Sequence, residues 1–191
     1  HRVMNRILLK KNTQIVPSLP DSIPPQPQDS KKKLLVLDLD ETLIHTVSTN
    51  ERLPRAPDNV FYFNAQERSY PVYKRPGVQK FLMSVASQFE VAVWTAGTRE
   101  YAEPILNWLD PYGFITTRLY RDSCTELEDG SYVKDLSKLN RSLSEVVIVD
   151  NNPYSFQFQP GNGIQCLDFY FDKCDTELKR IRQFLHIIKD V

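Results

Sequence analysis

The sequence predicts an α/β domain, a Rossmann-like parallel sheet flanked by helices, with a small β-hairpin insertion and no large cap domain. Three observations predict it. Short uninterrupted apolar runs occur three times, each ending at a polar residue, as strands buried on both faces do. Apolar side chains at helical spacing lie between those runs, and alternation of strand and helix is the pattern of a parallel sheet. The 191 residues, 41% hydrophobic and 25% charged, suit one such domain and a tail rather than two full domains.

Residues 1–33 form a Pro-rich basic tail or linker, and the domain spans 34–191. Pro17, Pro20, Pro24, Pro25 and Pro27 bar continuous helix or sheet and favour an extended path, although residues 3–9 have the spacing of a short helix. The net charge of zero hides a split. The tail holds seven basic residues against Asp21 and Asp29, and the remainder holds 17 basic against 22 acidic. An acidic folded part argues against a phosphate-backbone surface, so no direct nucleic-acid partner is expected.

The first strand is Leu34, Leu35, Val36 and Leu37, ending at Asp38. Val91, Ala92, Val93 and Trp94 end at Thr95, and Val146, Val147, Ile148 and Val149 end at Asp150. The first helical spacing is Val78, Phe81, Leu82, Val85 and Phe89. The second is Tyr101, Ile105, Trp108 and Leu109, with Pro104 at a kink or in the first turn. A last amphipathic helix carries Leu178, Ile181, Leu185 and Ile188. Two hairpins are expected, one pairing Val60–Phe63 with Tyr70–Tyr73, the other running from Leu119, Tyr120 and Arg121 through Asp129-Gly130 to Tyr132-Val133. The segment between Ile44 and Tyr70 is too short and too rich in charge and proline for a helical cap, so an open site is expected.

Cys124, Cys166 and Cys174 neither pair evenly nor show CxxC spacing, which fits a reducing, nuclear or cytosolic setting. No apolar run approaches the roughly 20 residues that span a bilayer. The chain opens on His1 rather than Met, so a piece of a longer protein is expected, and a membrane or nuclear-envelope anchor could lie outside it.

Open parallel sheets bind ligands at the carboxyl ends of their strands, where this chain puts Asp38, Asp40, Thr42, Thr95, Asp150 and Asn151. In Asp38-Leu39-Asp40 the two carboxylates share one side while Leu39 turns to the core. Clustered carboxylates repel unless a cation or proton intervenes, and oxygen donors without His or Cys favour Mg²⁺. A helix cap accounts for one acid but not for this set. His45 is read as a packing or hydrogen-bonding residue, and Phe61, Tyr62 and Phe63 as core or groove. Cys124 has no His near it in sequence to make it a nucleophile.

The runs LVLDLDETLIH (35–45), WTAGTREYA (94–102), YVKDL (132–136) and VDNNP (149–153), in that order, resemble the haloacid dehalogenase superfamily. Within it they are similar to the small phosphatases of the RNA polymerase II C-terminal domain and their Dullard-type relatives. The resemblance implies an Mg²⁺-dependent phosphatase of phosphoserine and phosphothreonine in proteins, acting through an aspartyl-phosphate. Asp38 would be the nucleophile, Asp40 the general acid and then base, and Thr95 and Lys134 the phosphate holders. Asp38 and Asn151 would bind the metal by side chain and Asp40 by its backbone carbonyl, with Asp150 orienting Lys134 and metal-bound water. Thr42, Arg121 and Tyr101 would face the substrate, Tyr101 beside the entrance. Asn152 and Gly97 depart from the serine common at each position, which bears on the surroundings of the metal and the floor of the groove. A competing reading is a silent binding module like the related mitochondrial import receptors, although those lose the aspartates kept here. A small-metabolite phosphatase would call for a lid.

Overall fold

A computed structural model describes residues 32–48 and 60–189. Strand β1 (Leu34–Leu37) opens the domain, followed by β2 (Ile44–Thr46), β3 (Phe61–Ala65) and β4 (Arg68–Lys74). Helix α1 (Val78–Ala86), β5 (Glu90–Trp94), α2 (Arg99–Leu109) and β6 (Thr117–Leu119) come next. Short strands β7 (Thr125–Glu126) and β8 (Tyr132–Val133) precede β9 (Val146–Asp150), β10 (Gly163–Gln165) and the last helix, α3 (Glu177–Ile188). Five strands in the order β10-β9-β1-β5-β6 make a parallel sheet, as the three apolar runs predict. Strand β1 lies at its centre, with Leu37 level with Val93 on one side and Val149 on the other.

Alternation along β1 divides the core. Leu35 and Leu37 join Val91, Val93 and Val149 in a cluster with Phe81, Leu82, Ile105, Leu106, Ile181 and Leu185, so all three α-helices pack on that side. Leu34 and Val36 join Ala92, Trp94, Ile148, Leu136 and Phe156 in a second cluster. There the cover comes from the short 3₁₀ turns Leu136–Leu139 and Pro153–Phe156. At about 25 cal/mol per Å² of apolar surface removed from water, this two-sided burial is what holds the strand ends in place.

Strands β3 and β4 form the expected first hairpin, and β2 adds to it as a third antiparallel strand. The turn between them uses Gln66 and Glu67 at φ 51° and 61°, the left-handed pair that a two-residue hairpin turn requires. The second hairpin differs from expectation. Leu119 belongs to β6 of the main sheet, and the partner of Tyr132-Val133 is Thr125–Glu126; a 3₁₀ turn over Arg121–Ser123 breaks the chain between them. Pro104 lies in the body of α2, not in its first turn, so the helix runs through a residue that cannot donate to the Glu100 carbonyl. Residues 1–31 of the tail and residues 49–59, which bear on a cap, lie outside the described residues.

Candidate active site

Asp38 follows β1 directly, and its N–H donates to Val149 O at 2.9 Å, carrying the sheet ladder one residue further. The chain then folds back on itself. Leu43 N and Ile44 N both donate to Leu39 O, Glu41 N donates to Ile44 O at 2.8 Å, and Glu41 takes φ 60°. A left-handed non-glycine residue costs about 1 kcal/mol or more unless its surroundings enforce it. Here the three backbone bonds do so, and the Glu41 carboxylate meets His45 Nδ1 at 3.1 Å. From outside the turn, buried Arg75 donates to Thr42 O at 3.1 Å while its Nε and Nη2 pair with Asp175 at 2.9 and 2.8 Å. His45 also packs edge-on against Phe171 and Tyr170, in the packing and hydrogen-bonding role expected of it.

The tight turn aims both aspartates to one side. Asp38 Oδ1 accepts from Lys134 Nζ at 2.5 Å, and the same ammonium donates to Asp150 Oδ2 at 2.6 Å. Asp38, Lys134 and Asp150 are 4%, 1% and 1% exposed, so one buried cation faces two buried carboxylates. Burial alone would lower the Lys134 pKa, but the charges of Asp150 and Asp38 outweigh it and hold the ammonium above its usual range. Burial and the charge of Asp38 raise Asp150 to about 7 against the opposing pull of Lys134.

Asp40 occupies a different environment. Its Oδ1 accepts from the Tyr101 hydroxyl and its Oδ2 from Thr95 Oγ1 at 3.4 Å. Burial, then the charge of Glu41, raise its pKa to about 7, with Asp38 adding to the shift and the Tyr101 bond opposing it. Thr95 Oγ1 also accepts from Gly97 N at 2.9 Å, so the loop after β5 shapes itself around that hydroxyl. Thr98, not Thr95, stands at the N-cap position of α2.

Two of the residues expected at the substrate are buried and bonded to the aspartates. Thr42 is fully buried, with Oγ1 at 3.0 Å from Asp38 Oδ2, 3.3 Å from Asn151 Oδ1 and 3.6 Å from Cys166 Sγ. The reversing turn tucks it beneath the carboxylates, where it orients Asp38. Tyr101 is 4% exposed, as buried as Asp38 itself. It lies in the first turn of α2, its ring edge-on to Phe63 at 5.2 Å, and its hydroxyl reaches Thr46 Oγ1 at 2.6 Å as well as Asp40. Arg121 Nε donates to Ala96 O at 2.7 Å, and its guanidinium lies 5.2 Å from the centre of the Tyr132 ring. The Asn152 side chain caps the next 3₁₀ turn by accepting from Tyr154 N, while its N–H donates to Asp150 Oδ1 at 2.8 Å. Burial pushes the Cys124 thiol up to about 11, which leaves it protonated and poorly nucleophilic at neutral pH.

The oxygens fit a hard cation. Asp38 Oδ2 and Asn151 Oδ1 reach from two strand ends to one hydroxyl that has a single proton to give, so one acceptor is left for another partner. Among the described residues no group of three His, Cys, Asp or Glu side chains is arranged to hold a metal ion. An ion held here would have to draw also on the Asn151 amide, a backbone carbonyl or water, a donor set that suits Mg²⁺. Sequence reasoning missed Arg75, Cys166 and Asp168, the last accepting from Asn151 Nδ2 at 3.0 Å. None of the three belongs to a local pattern that could have marked it.

A parallel α/β sheet with paired aspartates at the end of its central strand defines the class, and residues 33–191 match the model of the NLI interacting factor-like phosphatases, the family to which this chain belongs. It is 44% identical over 174 residues to CTD small phosphatase-like protein 2 of Dictyostelium discoideum, covering 90% of this chain and 30% of that protein. It is 35% identical over 188 residues to the human carboxy-terminal domain RNA polymerase II polypeptide A small phosphatase 1, covering 96% of this chain and 68% of the relative. Against two other curated relatives, phosphatase PSR1 of Saccharomyces cerevisiae and a probable C-terminal domain small phosphatase of Dictyostelium discoideum, the chain spans 40% and 55% of their length. The fold resembles that of the fission yeast RNA polymerase II CTD phosphatase Fcp1 bound to beryllium fluoride, with a TM-score of 0.60 at 22% identity over 84% of this chain and 51% of that one.

Proposed function

We propose that this domain is an Mg²⁺-dependent protein phosphatase that hydrolyses phosphoserine and phosphothreonine through an aspartyl-phosphate on Asp38. The observation that carries the reading is the contrast between two aspartates one residue apart. Asp38 is ion-paired with Lys134, as a nucleophile must be charged, while Asp40 is held near pKa 7, where it can give a proton and take one back.

In the first step an Asp38 oxygen attacks phosphorus, the bond to the seryl oxygen breaks, and Asp40 delivers its proton to that leaving oxygen. In the second, Asp40 takes a proton from water as the water attacks the phospho-aspartate, which releases phosphate, frees the Asp38 carboxylate and returns Asp40 to its protonated form. Lys134 and the Thr95 hydroxyl hold the phosphoryl oxygens as charge spreads over them. Asp38, Asn151 and the Asp40 carbonyl would hold Mg²⁺, which when bound supplies neutralising charge for those oxygens. Asp150 keeps Lys134 aimed, and Arg121, in the 3₁₀ turn after β6, supplies a cation for the phosphopeptide. The names of the relatives point to the C-terminal domain of RNA polymerase II as a substrate, which requires nuclear exposure. Among the described residues no helix is long and apolar enough to cross a membrane.

The test is hydrolysis of an aryl phosphate and of a phosphoserine peptide, with Mg²⁺ and with chelator, beside Asp38→Asn. Activity that needs both the metal and Asp38 is the expected result. A folded, Mg²⁺-loaded protein without activity would return the domain to the binding-module reading.

A further inference from the structure

Asp168 lies in none of the four motifs, yet the chain fixes it at the mouth of the cation site. The segment after β10 crosses both strand-end loops, because Cys166 N donates to Asp150 O at 3.1 Å and Phe169 N donates to Glu41 O at 2.8 Å. The Asp168 backbone is thereby pinned between the β9 loop and the β1 turn. Its side chain is engaged at both oxygens. Oδ1 accepts from Asn151 Nδ2 at 3.0 Å, and Oδ2 accepts from the Tyr170 hydroxyl at 3.2 Å.

An asparagine amide is nearly symmetric in shape but not in chemistry. Its oxygen can bind a cation, whereas its NH₂ group only donates. A carboxylate only accepts, so Asp168 is compatible with one of the two amide orientations, the one that sends Oδ1 inward toward Thr42 Oγ1 and alongside Asp38 Oδ2. We propose that Asp168 is a positioning residue for the cation site, holding Asn151 with its oxygen turned to the metal and adding outer negative charge; this rests on the Mg²⁺ reading above. Partners one bond beyond a metal ligand typically change affinity or activity 10- to 100-fold when removed.

The test is calorimetric titration of the folded protein with Mg²⁺, comparing wild type with Asp168→Ala, Asp168→Asn and Asn151→Ala. Circular dichroism and metal-free unfolding serve as the check that each variant folds. Asp168→Ala is expected to weaken the Mg²⁺ Kd about tenfold or more, approaching Asn151→Ala. Asp168→Asn keeps an acceptor oxygen and is expected to stay within about threefold of wild type, because orientation, not charge, is the larger part of the role. At saturating Mg²⁺ the kcat of Asp168→Ala should return toward the wild-type value, which a collapsed site would not do. Wild-type affinity in Asp168→Ala, or equal losses in Ala and Asn variants, would overturn the positioning role alone. Wild-type protein that binds no Mg²⁺ would overturn it together with the cation site.

Discussion

The Lys134 ammonium stands 2.5 Å from Asp38 Oδ1, and both side chains are almost fully buried. The same ammonium serves Asp150, so the trio carries one negative charge in excess that a proton or a cation must balance. Removing one partner of a buried pair leaves the other uncompensated, at a cost of about 3–5 kcal/mol. Lys134→Ala is expected to lower stability on that scale in urea unfolding at neutral pH. Its kcat should fall roughly 10²- to 10³-fold, the size of effect seen when one transition-state donor is lost. Lys134→Arg should recover little, since a planar fork does not fit between two carboxylates set for a point charge. A stable, active Lys134→Ala protein would remove the lysine from both roles.

Burial raises the Asp40 pKa to about 7, and in the proposed reaction the need for its proton depends on the leaving group. A seryl alkoxide leaves poorly, whereas an aryl oxide leaves without much help. Asp40→Asn should therefore cut phosphoserine peptide turnover by about 10²- to 10⁴-fold and aryl phosphate turnover far less. Parallel rates on the two substrates check this, and equal losses would sink the assignment of Asp40 as the acid.

How far the sequence could be read depended on how local each cause was. Strands β1, β5 and β9 are continuous apolar runs, and burial on both faces follows from composition alone. Strands β6 and β10 have three residues each, Thr117–Leu119 and Gly163–Gln165. Their pairing comes from the strand beside them, so no periodicity marks them. Asp38 and Asp150 were legible because each ends an apolar run, and Asp40 because it alternates with Leu39 on the same side as Asp38. The seats of Thr42 and Tyr101 were not, because they depend on the reversing turn at Glu41 and on the point where α2 starts. Arg75 reaches Asp175 across 100 residues and Asp168 reaches Asn151 across 17, distances over which a single sequence carries no pairing signal.

Gly97 gives room to Tyr101. A Cβ at this position would lie 2.8 Å from Tyr101 Cδ1 and 3.2 Å from Thr95 Oγ1, so a serine here displaces the ring or the hydroxyl. Overpacking of this kind costs about 1–3 kcal/mol. Gly97→Ser should lower the melting temperature accordingly and weaken the bond from Tyr101 to Asp40. That bond opposes the rise in the Asp40 pKa, so its loss moves the pKa further up. The basic limb of kcat/KM on a phosphoserine peptide should then shift to higher pH, and Tyr101→Phe should shift it the same way. A fully stable Gly97→Ser protein with an unmoved limb would show that the ring is not wedged against the loop.

Stability in the absence of metal should fall as pH rises across the neutral range. Asp40 and Asp150 are raised by burial from 3.8 to about 7, so between those values the folded chain holds protons that the unfolded chain has released. Their contribution is complete below pH 3.8 and is lost as pH climbs through 7. Asp135, Asp175, Glu103 and Glu177 are shifted down, and what they contribute is already present above pH 5. Urea unfolding in chelator should therefore show a loss between pH 5 and 8, on the order of 2 kcal/mol for each raised group. Asp40→Asn should flatten part of that slope. Mg²⁺ should offset it, since a cation favours the ionised carboxylates that burial penalises. A chelated protein whose stability is level or rising from pH 5 to 8 would contradict the protonated, buried state of these two aspartates.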